Sequence, residues 1–208
     1  VEHDPSGLRC ESNVFRYRPC RGVVLRLERA DVTTEELARL AEEAGELMMA
    51  IRANVGAADC YRYTGRLRDA RERVARAAEL AGRTGDSIAR ADVLLATGNL
   101  SLRQADLSGA KAAYEAALPI YREMGERLGE AQVLHAMGEL LRLQDDLSGA
   151  KAVYETALLI CRETGSRLGE ANVLGGMGEL LLQQADLPGA KAAYEAALPI
   201  FRELGSRL

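Results

Sequence analysis

A 40-residue period runs through the second half of this chain and limits what it can fold into. Residues 125–164 read GERLGEAQVLHAMGELLRLQDDLSGAKAVYETALLICRET. Residues 165–204 read GSRLGEANVLGGMGELLLQQADLPGAKAAYEAALPIFREL, and 27 of the 40 positions are identical. A third in-phase copy occupies 85–124, and a worn one occupies 45–84. A period of this length marks an array in which no unit can bury its apolar stripe alone. Stacking the next unit covers it, so about three or more units are needed.

Each unit divides into two predicted helices. In the 125–164 copy the first spans about 128–144, with Val133, Leu134, Met137, Leu140 and Leu141 at helical spacings. The second spans about 147–164. Asp106, Asp146 and Asp186 stand where a helix N-cap is wanted, and Gly125, Gly165 and Gly205 where a left-handed residue closes a helix. Pro188 falls in a first turn, where its missing N–H matters little. Pro119 and Pro199 lie well inside second helices. They predict a kink, or a freed carbonyl near residue 115 or 195 turned to water. Leu159 stands at that place in the intervening copy, so the fold does not require proline there. Gly138, Ala150 and Ala157 are small enough for close helix approach, and Tyr154 fills the space between layers. The fold class expected is all-α, an α-solenoid of antiparallel helix pairs over 45–208 with units 45–84, 85–124, 125–164 and 165–204. Residues 205–208 repeat the opening GSRL of the last unit.

The first 44 residues do not repeat and form a short irregular N-terminal segment. Residues 23–27 could be a strand or an extended arm. Thr33 or Thr34, followed by Glu36 and an Ala/Leu-rich run, predicts a capped helix over about 33–43.

Composition and motifs exclude several functions. A net charge of −4 offers no electrostatic footprint for nucleic acid or an anionic membrane. No apolar run nears the roughly 20 residues that span a bilayer. Cys10, Cys20, Cys60 and Cys161 form no CxxC pair, and only His3 and His135 accompany them, so no zinc site is expected. The cysteines read as buried or idle thiols in a reducing cytosol, and the cationic residues, nearly all Arg, suggest a bacterial source. No glycine-rich phosphate loop or nucleophile elbow is present. His135 is a lone histidine, better read as a groove or surface residue than as a base. Glu139 and Glu179, one period apart, should lie roughly 10 Å from each other on neighbouring helices, too far to share a proton. No enzyme activity and no cofactor are expected.

The recurring set Leu134, Met137, Gly138, Ala150, Tyr154, Ala157 resembles the tetratricopeptide repeat pattern. It returns as Leu94, Gly98, Ala110, Tyr114, Ala117 and as Leu174, Met177, Gly178, Ala190, Tyr194, Ala197. The 40-residue period resembles the longer variety found in kinesin light chains and bacterial regulators. In the worn copy Ala70 and Ala77 fit, while Ala58 and Val74 stand for Gly and Tyr. Ser101, Leu141 and Leu181 replace the family's first-helix Tyr, and Arg122, Arg162 and Arg202 its helix-ending Pro.

The resemblance implies a right-handed superhelix whose first helices line a concave groove for a peptide or helical segment of another protein. Carried over, the groove positions are Gln132, His135, Glu139, Arg142 and Leu143. Their equivalents are Asp92, Leu95, Asn99, Leu102 and Arg103, and Asn172, Gly175, Glu179, Leu182 and Gln183. The worn copy offers Arg52, Val55, Asp59, Arg62 and Tyr63. Between the last two units four of these five positions differ, against nine of the other 35. That concentration fits a surface reading a non-repeating partner, although free drift of solvent-facing positions would also produce it. Chaperone-binding relatives clamp a C-terminal carboxylate with an Asn at the Asn99 position. Glu139 and Glu179 replace it in the next two units, so a partner bearing Arg or Lys, or an amphipathic helix, is expected instead.

Residues 7–27, through Glu11, Ser12, Asn13, Phe15, Arg16, Tyr17, Arg18 and Pro19, resemble a piece near the C-terminal end of bacterial glutamate-semialdehyde dehydrogenases. The expected role is a cytoplasmic protein-binding scaffold within a larger bacterial regulatory or assembly protein. The alternatives are a dehydrogenase-related fragment with a repeat appendage, and a purely structural or oligomerising spacer. The array shows no polar capping helix at its C-terminal end, which leaves self-association through that end open.

Overall fold

The computed structural model describes residues 33–205, and the described residues form nine α-helices and no strand. The helices are α1 (Thr34–Glu43), α2 (Leu47–Tyr63), α3 (Leu67–Thr84), α4 (Ser87–Arg103) and α5 (Leu107–Glu123), followed by α6 (Arg127–Leu143), α7 (Leu147–Glu163), α8 (Arg167–Gln183) and α9 (Leu187–Gly205). The segment 7–27 with the dehydrogenase resemblance, and the arm at 23–27, lie outside the described residues. Two compact units divide inside α4, between Ala96 and Thr97.

In the second unit, α5 packs on α6, α6 on α7, α7 on α8 and α8 on α9, and the first helices α6 and α8 also touch. This is the α-solenoid of antiparallel pairs. Its spacing is set by glycine against tyrosine. A methyl on Gly138 would stand 2.4 Å from the Tyr154 ring, and one on Gly98 2.4 Å from the Tyr114 ring. Both tyrosines are fully buried. A second contact links consecutive pairs. A methyl on Gly129 would meet the Tyr121 ring at 2.3 Å, and one on Gly169 the Cys161 sulfur at 2.8 Å. Cys161 is a buried free thiol. Cys60 is disulfide-bonded, which corrects the expectation of idle thiols and removes that support for a reducing compartment.

The termini follow the sequence closely. Asp106, Asp146 and Asp186 each accept a hydrogen bond from the backbone N–H three residues on, at 2.9 Å. Thr33 rather than Thr34 caps α1, accepting from the Glu36 N–H. Gly125 and Gly165 are left-handed, and the N–H groups of Glu126 and Ser166 reach back to Tyr121 and Cys161, whereas Gly205, expected to close its helix in the same way, is still helical as the last residue of α9. The turn inside each pair uses the same closure with other residues. Ala105, Asp145 and Ala185 have φ of 59°, 64° and 59°, while the worn pair has Gly65 at that place. Helices α5 and α9 run unbroken through Pro119 and Pro199, so no break appears. Both prolines, and Glu115 and Glu195 one turn before them, lie on exposed faces, which puts the lost helical hydrogen bond on the water side.

In the first unit, α1 packs on α2 and α2 on α3. Here polar pairing supplements a thinner apolar core. The Arg76 guanidinium spans Glu42 and Glu79, and Arg73 reaches Glu35 at 3.1 Å. The fully buried Asn54 amide donates to the Ala50 carbonyl at 2.9 Å and to Glu42 at 3.3 Å. The Arg76 guanidinium beside Glu42 holds that carboxyl below its ordinary range.

Candidate binding face

Helices α6 and α8 carry ten of the sequence-predicted positions, and several of them converge. One guanidinium nitrogen of Arg142 lies 2.8 Å from Glu139 and 2.9 Å from Glu179. The two carboxylates are therefore much closer than the helix spacing suggests, and they are bridged rather than mutually repelling. The bridge brings the local charge of the three groups to about −1, and Glu179 remains the more exposed carboxylate.

Tyr154, which the sequence assigns only to packing, also belongs to this cluster. Its hydroxyl donates to Glu139 at 2.6 Å. Burial, reinforced by the Glu139 carboxylate, keeps the phenol protonated as that donor. One period earlier Tyr114 donates to Asn99 at 2.9 Å. Position 99/139 is thus partly committed to the repeat's own tyrosine. The spacing between Gly138 and Tyr154 carried the packing signal, but nothing in it announced the hydroxyl's acceptor. Gly176 completes the arrangement: a methyl there would stand 2.9 Å from Glu139 and 3.0 Å from the Tyr154 hydroxyl.

The His135 ring lies 5.9 Å from that of Tyr154, tilted 45° to it. Burial pushes the imidazole below its ordinary range, against opposing pulls from the Glu139 carboxylate and an Asn172 backbone hydrogen bond. At neutral pH it is a neutral, half-buried wall residue. Gly175, at the matching place on α8, leaves a gap in which a methyl would meet no atom within 4 Å. One turn before that gap on the two helices Gln132 and Asn172 are exposed, and about two turns beyond it Leu143 and Leu182 are exposed as well. Gln183 is exposed too, with its amide donating to Asp145 at 3.2 Å.

The remaining positions stand in two places. In the second unit Asn99 and Leu102 are half-buried and Arg103 is exposed. In the first unit Asp92 and Leu95 are half-buried. There Arg62 pairs with Asp59 at 3.2 Å and lies 4.1 Å over the exposed Tyr63 ring. Among the described residues no group of His, Cys, Asp and Glu could hold a metal ion, and no helix is long and apolar enough to cross a membrane.

The family model for the tetratricopeptide repeat matches residues 129–203. Those residues are tetratricopeptide repeats. Such repeats serve generally in protein–protein interaction, and the all-helical fold they build is typically not catalytic. The crystal structure of BtubC (BKLC) from P. vanneervenii is similar over 83% of this chain and 80% of that one, with a TM-score of 0.59. At 17% identity this likeness speaks for the fold alone. No curated protein matches the sequence. In the tetratricopeptide units here, the α6–α8 face joins a bridged charge cluster, an open gap and exposed Leu143 and Leu182 at one end.

Proposed function

We propose that the α6–α8 face binds an extended or helical segment of another protein, and that the chain is a non-catalytic scaffold within a larger bacterial regulatory or assembly protein. The gap at Gly175 carries this reading. It lies among side chains that vary between the last two units, while the buried Ala131, Val133, Leu134 and Leu140 recur as Ala171, Val173, Leu174 and Leu180. The ligand chemistry that suits the face is an amphipathic segment. Its apolar residues would cover Leu143 and Leu182, and a Lys or Arg would meet Glu179. Arg142 already offsets one of the two negative charges of the acidic cluster, so an incoming cation gains less than it would from two free carboxylates.

Gly175→Gln tests this without endangering the fold. Replacing a helical glycine whose site is open should stabilise the chain by about 1 kcal/mol. Peptides selected from a displayed random library on the wild-type chain should lose at least tenfold in affinity for this variant. Selected peptides that bind both chains alike would remove the α6–α8 face from the function.

A further inference from the structure

The outer face of α9 is unlike the same face of α5 and α7. Tyr154 and Cys161 on α7 are 0% and 2% exposed, whereas Tyr194 and Phe201 at the matching places on α9 are 37% and 41% exposed. Leu158 is 9% exposed and Leu198 46%. Helix α7 is covered by α8, whose opening turn supplies Gly169 against Cys161. An ion pair seals that contact. Arg162 reaches Glu170 at 3.0 Å, as Arg122 reaches Glu130 at 2.9 Å one period earlier. Glu130 and Glu170 are nearly buried, and each also pairs with an arginine of its own helix, Arg127 at 2.5 Å and Arg167 at 2.6 Å. Arg202 holds the matching place on α9, and no carboxylate meets it among the described residues.

We propose that the α9 face docks one further helix of the first-helix type, with Leu-Gly-Glu-Ala in its opening turn. Glycine would sit under Phe201, and glutamate would pair with Arg202. The surface continues the α5–α6 and α7–α8 interfaces, which specify its occupant residue by residue. The sequence after Glu203 supports that occupant, because Gly205 to Leu208 repeat the Gly165 to Leu168 run that leads into α8. Phe201 replaces Tyr121 and Cys161, so the occupant needs glycine rather than a larger residue beneath it. This inference does not depend on the α6–α8 face.

The test adds a labelled synthetic peptide of residues 165–204 to the full chain and follows anisotropy. Saturable binding is expected, unaffected by Gly175→Gln. Arg202→Glu in the chain should weaken it about tenfold or more by placing like charges together, and Glu170→Arg in the peptide should restore it. Gly169→Leu in the peptide should abolish it. Binding indifferent to both Arg202→Glu and Gly169→Leu, or no binding at all, would overturn the proposal. A chain extended after Leu208 by a second copy of residues 169–204, which keeps the 40-residue period, guards against a peptide that stays unfolded. Its Tm should rise by about 4 °C as Tyr194 and Leu198 become covered, and an unchanged Tm would count equally against the proposal.

Discussion

The pair α2–α3 and the pair α6–α7 occupy the same phase of the period and solve one packing problem in two ways. In α6–α7, Leu134 fills the core, Gly138 gives way and the Tyr154 ring enters the space it leaves. In α2–α3 the same three places hold Asn54, Ala58 and Val74, all buried. One side of the contact gains a methyl and the other loses a ring. The lost apolar volume is accompanied by a polar network, Asn54 to Glu42 and Glu42 to Arg76. The period therefore fixes where the two helices touch rather than residue identity, a methyl gained on one side going with a smaller side chain on the other.

The largest expected effect comes from converting one solution into the other. Tyr154→Val should cost about 3 kcal/mol through the cavity it leaves, and Gly138→Ala about 1–3 kcal/mol through overpacking. The double variant should cost at least about 1 kcal/mol less than the sum, because the two positions touch. Urea unfolding of the four chains decides it. Strict additivity would break the idea that the two places trade volume.

A smaller effect sharpens the comparison at the turn inside each pair. Gly65 is left-handed without strain, whereas Ala185 holds φ 59° despite its side chain. Ala185→Gly should raise stability by about 1 kcal/mol and Gly65→Ala lower it by about as much. Calorimetry should show opposite Tm shifts of about 2–4 °C; shifts of one sign would mean the turns are not equivalent.

The smallest effect is a pH dependence at His135, whose counterpart in the worn pair, Val55, cannot titrate. Burial sets the folded His135 pKa below the unfolded value of about 6.5. The native state then binds fewer protons than the unfolded one. Stability is full above about pH 6.5 and falls as the solution is acidified toward the folded pKa. His135→Gln should flatten the difference between midpoints measured at about pH 7.5 and 5.5. An undiminished difference would place the acid sensitivity on another group, and not on Glu42, whose lowered pKa acts only at more acidic pH.

The positions of the face come from the tetratricopeptide resemblance, and helical spacing accounts only for why Gln132, His135, Glu139 and Arg142 share one side, since residues three, four and seven apart do so. What spacing could not supply was partnership. By spacing Arg142 is one wall position among several, and in the structure it lies between Glu139 and Glu179. Tyr154 was a spacer until its hydroxyl met Glu139.

The 40-residue period, the Asp caps and the closing glycines determined helices, turns and stacking order, because those depend on local hydrogen bonds and on which side of each helix is apolar. Only the tertiary structure decided which polar groups on neighbouring helices meet and where Gly175 leaves room. Those outcomes depend on distances between segments about 40 residues apart, and no local rule along the chain encodes them.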